Sequence, residues 1–155
     1  MADYHQLCTF FLEDRFFGVD VEKVQEVIRY QVITPVPLAP SVVRGLINLR
    51  GQIVTAIDLR RLLQVGDRQD DHRPINIVVQ TRQGTFSLLV DRIGDVLEVD
   101  PSCFERPPDT LEGIARELIQ GTYKLQGQLL LTINIDKLFN LALLNRYRTT
   151  AKKPE

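Results

Sequence analysis

The sequence predicts a mainly β fold of two small, five-stranded β-barrels in tandem, each with short helices. First, a block of two apolar runs around a tight turn spans 43–65 and occurs again over 120–141. Second, a pair of similar segments lies upstream of the two blocks. Third, the 155 residues are 44% apolar and 25% charged, which is usual for a soluble domain with a buried core.

The first block, VRGLINLRGQIVTAIDLRRLLQV, predicts a hairpin followed by a helix. Its turn is Arg50-Gly51-Gln52, where Gly51 can adopt the positive φ that a tight reversal needs. Asp58 ends the second strand, and its carboxylate can accept hydrogen bonds from the free N–H groups of the next turn. Leucines at helical spacing then pack that turn back on the hairpin, at positions 59, 62 and 63.

The second block, QGTYKLQGQLLLTINIDKLFNL, repeats the first at a constant offset of 76 residues. The matched pairs are Gly45/Gly121, Leu49/Leu125, Gly51/Gly127, Ile57/Ile133, Asp58/Asn134 and Leu62/Leu138. Upstream, VEKVQEV over 21–27 matches VDRIGDV over 90–96 at an offset of 69, with Phe17 matching Phe86. Self-similarity on this scale indicates two copies of one β-rich unit.

We predict a first barrel lobe over 6–65, a second lobe with a C-terminal helix over 75–141, and a polar tail over 142–155, together forming one domain. The polar run GDRQDDHR over 66–73 is expected to be a surface connection between the lobes.

In the first lobe, residues 6–19 are expected to form a hairpin with its turn at 13–15. Asp20 is expected to cap a short helix or helical turn over 21–28, whose valines and Ile28 share one apolar face. Residues 30–36 are extended, and regular structure then stops at the prolines, at positions 35, 37 and 40.

The second lobe is predicted to repeat this order. Its hairpin spans 75–90, a further strand covers 96–99, and 100–119 is a long irregular connection that is a candidate contact surface. Asn134 is expected to begin a C-terminal helix with an apolar stripe, and residues 145–155 are expected to be disordered. Whether the first strand stays in its own barrel or joins the other is left open by the sequence.

Composition excludes several classes of partner. The net charge of -1 and the pI near 6.1 give no basic face for a phosphate backbone, so we expect no nucleic-acid binding. No apolar run approaches the ~20 residues that span a bilayer, and the N-terminus lacks the pattern of a secretion signal, so we expect a cytoplasmic protein without membrane insertion. Cys8 and Cys103 are interpreted as buried thiols, with no disulfide and no metal site.

No side chains indicate catalysis, and no cofactor is implied. His5 lies in a terminus and His72 in a polar loop, each without a nucleophile or an orienting partner nearby. Two pairs of acids at helical spacing are interpreted as polar helix faces paired with Lys23 or Arg92: Asp91 with Asp95, and Glu22 with Glu26.

Arg50 differs from its surroundings, because it is a charged residue beside a turn glycine in an otherwise apolar block. It is either held by a nearby acid or contacts a partner. The matching position in the second copy is the neutral Gln126, and a residue needed only for folding would tend to recur in both copies.

Four segments carry a resemblance to a known family: GLINLRGQIVTAIDLR over 45–60, FGVDV over 17–21, KVQEVI over 23–28 and LLTINIDKL over 130–138. In these segments the chain resembles the CheW family of scaffold proteins of bacterial chemosensory arrays, from about residue 7 to 139. The resemblance implies two five-stranded SH3-like β-barrel subdomains and no enzymatic activity. It also implies a role that couples chemoreceptors, the methyl-accepting chemotaxis proteins, to the histidine kinase CheA of a two-component system.

The resemblance further implies which surfaces are used. A groove between the lobes would take the helical hairpin tip of the receptor, and Val24, Glu26 and Arg50 match positions associated with receptor contact. Val24 is also expected on the apolar face of the helix over 21–28. The barrels would bind the regulatory domain of the kinase, by residues that we do not identify. The protein would be cytoplasmic and recruited to membrane-associated receptor arrays.

Two residues depart from the family pattern, since Thr55 stands where proline is frequent and Asn134 where aspartate is frequent. Thr55 restores a backbone N–H to its strand, and Asn134 can still cap a helix. A different class of function, a small-ligand or oligonucleotide-binding double barrel, is the alternative. The receptors served, the output pathway (flagellar, pilus or second messenger) and the oligomeric state stay open.

Overall fold

The computed structural model describes residues 5–66 and 73–142. Eleven strands lie in these ranges: β1 (His5–Leu12), β2 (Arg15–Asp20), β3 (Val24–Ile28), β4 (Val43–Leu49), β5 (Gln52–Asp58), β6 (Ile75–Thr81), β7 (Gly84–Val90), β8 (Arg92–Val99), β9 (Phe104–Glu105), β10 (Ile119–Leu125) and β11 (Gln128–Ile133). The helices are α1 (Leu59–Leu62), α2 (Gly113–Leu118) and α3 (135–142), with 3-10 turns at Val21–Lys23 and Pro101–Cys103. The fold is mainly β, as predicted.

The strands form two sheets that each combine segments of both sequence copies. One sheet has the order β8-β1-β2-β11-β10-β9, and the other has the order β3-β6-β7-β5-β4. The first hairpin, β1–β2, therefore lies beside β11 of the second copy, while β6–β7 lies beside β5 of the first copy. This exchange answers the question that the sequence left open, because the first strand joins the strands of the other copy.

The repeat appears in the pairing register of the sheets. The turn ends of the two long hairpins pair Leu49 with Gln52 and Leu125 with Gln128, which are equivalent at the offset of 76. Both ladders also shift register at matching positions, before Gly45 and before Gly121. The parallel contacts agree as well, pairing Thr55 with Phe86 and Leu131 with Phe17. The two halves of the fold are therefore related by an approximate twofold repeat.

The predicted number of five strands per lobe holds for one sheet, and the other gains the two-residue strand β9 at its edge. Closure of the sheets into barrels remains a prediction, as do the lobe bounds 6–65 and 75–141. None of the helices in the described ranges has the length and apolar character that a membrane crossing requires.

The short helix or helical turn predicted over 21–28 is confirmed for its capped first turn and is wrong for Val24–Ile28. Only Val21–Lys23 is helical, as a 3-10 turn capped by the Asp20 carboxylate, which accepts a hydrogen bond from the Glu22 N–H at 3.1 Å. Val24–Ile28 continues as strand β3 and pairs with β6. The spacing of the valines fits a helix, but this β-branched segment pairs with β6, with a register shift between Val24 and Glu26, and so forms a strand.

Two loop predictions need smaller corrections. In the segment 30–36, only Thr34 joins a sheet, through a single bridge to Leu46. The connection over 100–119 contains a 3-10 turn, β9 and α2, and is therefore more ordered than the irregular loop expected. The polar connection at 66–73 lies mostly outside the described residues, and the tail over 145–155 lies wholly outside them.

The main core lies between the two sheets and the helices. Leu59 and Leu62 of α1 and Leu138 of α3 are fully buried in it. Helix α3 begins after Asn134 as predicted, and the Asn134 Oδ1 accepts a hydrogen bond from the Lys137 N–H at 3.1 Å. The apolar stripe of α3 is confirmed for its described part, with Ile135, Leu138 and Ala142 buried and Phe139 packed against the core; Leu143 lies outside the described residues.

Candidate functional site

The structure brings together two of the three residues that the resemblance associates with receptor contact. The guanidinium of Arg50 donates from Nη1 to Glu26 Oε2 at 3.0 Å and from Nη2 to Glu26 Oε1 at 2.8 Å. The Arg50 side chain is 77% exposed and that of Glu26 is 20% exposed. The nearby acid expected to hold Arg50 is therefore present. The Arg50 side chain is also exposed enough to contact a partner, so the second interpretation stays open.

This contact depends on the curvature of the five-stranded sheet. Glu26 lies on β3 and Arg50 follows β4, and these strands stand at opposite ends of the sheet order. Their side chains can meet only because the sheet curls so that its two ends approach each other. The pair is therefore a product of the tertiary fold.

The turn that carries Arg50 has a particular backbone geometry. Arg50 has φ of 52° and Gly51 has φ of 90°, which suits the two-residue turns that follow the twist of a hairpin. The Asn48 Oδ1 accepts a hydrogen bond from the Gly51 N–H at 2.8 Å and holds the turn. In the second copy Gly127 also has positive φ, at 78°, but Gln126 is not left-handed. The two turns thus share length and register but differ in the backbone conformation of the residue before the glycine, Arg50 in the first copy and Gln126 in the second.

Two edge strands, one in each sheet, carry exposed apolar side chains. Val24 is half-buried against the main core, whereas Val27, Ile93 and Val96 are exposed. Within the described residues, β3 pairs only with β6 and β8 only with β1, so both are edge strands. At the offset of 69, Ile93 matches Val24 and Val96 matches Val27. The sequence repeat could have identified Ile93 and Val96, which our sequence analysis did not single out.

Two depressions in the surface lie away from this pair. An apolar groove of about 280 Å³ lies between the loop over 36–40, strands β4 and β5, and helix α3, and Thr55 lines it. Thr55 lies in β5, between β4 and β7, where its backbone N–H is available for pairing in the sheet, as expected.

A more polar cleft of about 550 Å³ is lined by His5, Asp20 and Tyr123 among others. Burial raises the pKa of Tyr123, and the nearby Cys103 and Asp100 add to that rise.

The described residues contain no group of three or more side chains that could hold a metal ion. Of the two cysteines, Cys8 is buried as expected, and burial raises the pKa of its thiol. The expectation for Cys103 is wrong, because it is exposed in the 3-10 turn that begins at Pro101. A turn capped by Asp100 on the surface of the long connection leaves the thiol no core to enter.

Of the four acids assigned to helix faces, Glu22 lies in the 3-10 turn Val21–Lys23 and the other three lie elsewhere. Asp91 is buried between β7 and β8 and is paired with Arg60, while Asp95 and Glu26 lie on strands. The Asp91 carboxylate raises the pKa of Arg60 through its hydrogen bonds with the guanidinium, against the effect of burial. Sequence spacing missed this pair because its members belong to different copies and meet only through the exchange of hairpins.

The chain is similar to known proteins over most of its length. A family model described as a CheW-like domain matches residues 6–143. The chain is 29% identical over 139 residues to the chemotaxis protein CheW of Treponema pallidum, covering 87% of this chain and 82% of the relative. It is 32% identical over 132 residues to the chemotaxis protein CheW of Klebsiella aerogenes, covering 84% and 79%. Among solved structures, the scaffolding protein TtCheW from Thermoanaerobacter tengcongensis matches with a TM-score of 0.79 and 29% identity, over 90% of this chain and 93% of that chain.

Proposed function

This chain belongs to the family of CheW-like domains, and from that membership we propose that it couples chemoreceptors to a CheA-type histidine kinase. The family and its structural neighbour make the chain a non-enzymatic scaffold protein of chemotaxis signalling. The proposal adds the two partners: the cytoplasmic tip of the receptors and the regulatory domain of the kinase. It also adds recruitment of the chain from the cytoplasm to receptor arrays at the membrane.

The observation that carries the proposal is the exposed Arg50–Glu26 pair beside an apolar edge strand. An ion pair in which one partner is this exposed contributes little to folding, with a median of about 0–1 kcal/mol, because water competes and two side chains lose freedom. We therefore assign the pair a role in contacting a partner and not in stabilising the fold. A planar guanidinium held in a bidentate geometry is already oriented for a second acceptor.

The valines of β3 lie on the opposite face of the strand from Glu26. Val24 pairs with Val79 and Val27 with Ile77, which both belong to the main core, whereas Glu26 pairs with Val78 of a separate cluster. Successive side chains of a strand point to opposite faces, so this edge strand offers the charged pair on one side and the exposed Val27 on the other. We propose Val24, Glu26 and Arg50 as receptor-contacting residues, on the two sides of β3.

The test uses Arg50→Ala and measures binding to a purified receptor signalling-tip fragment and, separately, to the kinase regulatory domain. We expect Arg50→Ala to lower the affinity for the receptor fragment while kinase binding and the melting temperature stay nearly unchanged. A charge at the rim of an interface affects only the contact that it makes. Arg50→Lys should restore binding only partly, since an ammonium cannot reproduce the bidentate fork.

Gln126→Ala is the matched control, because Gln126 occupies the equivalent turn position in the second copy. It should leave both affinities at the wild-type value. Equal loss of both partners in Arg50→Ala, or a lowered melting temperature that accounts for the defect, would show that Arg50 only holds the hairpin. The alternative of oligonucleotide binding is not favoured, and a gel-retardation assay at low salt should show no shift.

A further inference from the structure

We propose that the polar cleft of about 550 Å³ beside β1, β2, β9 and β10 is a binding site for an organic cation, an ammonium or guanidinium group carried by a small molecule or by a lysine or arginine side chain. The cleft combines a wall of two aromatic rings, a carboxylate and a buried hydroxyl without a partner in the fold. Binding there would be additional to the coupling role and does not depend on it.

Tyr123 presents a polar group to the cleft. The residue lies on β10, lines the cleft and is 6% exposed. Within the described residues no group forms a hydrogen bond with its hydroxyl, and the hydroxyl oxygen is not sealed from solvent. The hydroxyl of a buried tyrosine usually has a partner, because an unsatisfied polar group costs free energy. The Tyr123 hydroxyl is therefore placed to bond to a molecule in the cleft.

Two aromatic rings form one wall of the cleft. Phe104 on β9 and Tyr123 lie edge to face, with ring centroids 5.4 Å apart and ring planes at 63°. Phe104 can take this position because it rests on Gly121, where an added Cβ would overlap its ring. Phe104 stays 43% exposed and lines the cleft. The faces of aromatic rings attract organic cations, because the π electrons give them partial negative charge.

A carboxylate supplies the opposite charge. Asp20, the last residue of β2, lines the cleft. Its Oδ1 accepts a hydrogen bond from the Glu22 N–H, whereas its Oδ2 has no bonded partner within the described residues. The other described residues that line the cleft carry no formal charge when histidine is neutral. The charge of the cleft therefore favours a positive ligand, and the free oxygen can accept a hydrogen bond from it.

A second carboxylate lies close to the rings. Asp100 precedes Pro101, which lines the cleft, and a hydrogen bond from the Ser102 N–H at 2.9 Å lowers the pKa of Asp100. Asp100 is therefore charged at neutral pH. Its charge reaches the ring wall, because Asp100 adds to the rise in the pKa of Tyr123 that burial chiefly causes. Both acids thus make the surroundings of the rings negative.

The first copy of the repeat has apolar residues at the equivalent positions. Tyr123 matches Ile47 at the offset of 76, and Asp20 matches Leu89 at the offset of 69. Ile47 and Leu89 are 1% and 0% exposed and belong to one apolar cluster. Hydrocarbon therefore satisfies the fold at these positions. We assign the hydroxyl and the carboxylate of the second copy to ligand binding, since partly buried polar groups without partners would otherwise only cost stability.

The experiment titrates the isotope-labelled full-length chain with n-butylammonium at slightly alkaline pH and follows the backbone amide shifts by NMR. n-Butanol and butyrate are the matched neutral and anionic probes. A lysine blocked at both ends by amides is titrated in parallel, and its affinity relative to n-butylammonium distinguishes a protein side chain from a free amine as the source of the cation.

Three variants test the assignment of the groups. Asp20→Asn removes the charge but keeps the side-chain oxygen that caps the 3-10 turn, and Tyr123→Phe removes only the hydroxyl. The matched control is Asp14→Asn, because Asp14 is an exposed acid in the turn at the other end of the β1–β2 hairpin.

We expect n-butylammonium to cause saturable shifts at Asp20, Phe104 and Tyr123, with much weaker responses to n-butanol and butyrate. Asp20→Asn should raise the Kd roughly tenfold, within the range for a hydrogen bond between charged groups, and Tyr123→Phe should raise it several-fold. Asp14→Asn should bind like the wild type. Tighter binding of the blocked lysine than of n-butylammonium would assign the site to a protein side chain, and weaker binding would assign it to a small molecule; either result supports a cation site.

The absence of saturable shifts would overturn the proposal, as would an equal response to the three butyl probes or an unchanged Kd in Asp20→Asn. Should Asp20→Asn fail to fold, Phe104→Leu provides the second test, because Phe104 is exposed and removal of its ring should weaken binding of n-butylammonium without changing the response to n-butanol. Equal affinity of Phe104→Leu and the wild type for n-butylammonium would then overturn the cation site.

Discussion

Leucine truncation in the two helices tests whether the sequence repeat is also an energetic repeat. Leu62 in α1 and Leu138 in α3 are equivalent at the offset of 76, and both are fully buried. Each change to Ala removes three carbon groups, and at about 0.8 kcal/mol each the transfer loss is about 2.4 kcal/mol. The cavity left behind brings the expected cost to about 3–5 kcal/mol in either helix.

The hairpin leucines provide the contrast. The repeat matches Leu49 with Leu125, and from that match equal burial is expected, but Leu49 is buried and Leu125 is only half-buried. Leu49→Ala should therefore cost about 2–3 kcal/mol and Leu125→Ala about 1 kcal/mol, since an incompletely buried side chain has less to lose.

Urea unfolding followed by far-UV circular dichroism gives the four free energies, provided that the m-values agree among variants. Tryptophan fluorescence cannot serve, because the chain has no tryptophan. Equivalent buried sites should lose similar unfolding free energies on truncation. A difference of more than about 2 kcal/mol between Leu62→Ala and Leu138→Ala would therefore show that the repeat is present in the sequence pattern but not in the energetics. Equal costs for Leu49→Ala and Leu125→Ala would contradict the burial assigned to Leu125.

Two further predictions concern single residues. Gly45 has φ of 148°, and a Cβ there would overlap the Thr34 carbonyl oxygen, so Gly45→Ala should lower the unfolding free energy by roughly 2–4 kcal/mol. Gly18→Ala is the matched change without positive φ, and thermal unfolding should place it within about 1 kcal/mol of the wild type. Ellman's reagent should titrate one thiol, Cys103, in the native chain and a second, Cys8, only in denaturant; two reactive thiols in the native chain would contradict the burial that raises the Cys8 pKa.

The hairpins and helix caps could be predicted from sequence because their signals are local. A turn glycine between two apolar runs and a capping residue before a leucine stripe act within a few residues, and the structure has Asp58 and Asn134 in those roles. The internal repeat extended these predictions to the second copy. The matching turn registers of the two long hairpins agree with that repeat.

The features that the sequence did not predict depend on contacts between distant segments. The spacing of Val21, Val24, Val27 and Ile28 fits a helix, and only the presence of β6 as a neighbour makes Val24–Ile28 a strand. Arg60 and Asp91 are 31 residues apart and meet because the copies exchange hairpins. The Arg50–Glu26 contact likewise depends on the curl of a sheet, which no local pattern encodes.

The coupling role is tested most directly by affinity purification of the full chain from cells of its source organism, with the co-purified proteins identified by mass spectrometry. The wild-type chain should recover both a CheA-type kinase and chemoreceptors, and Arg50→Ala should retain the kinase while losing the receptors. Recovery of neither partner by a folded wild-type chain would contradict the proposed coupling role.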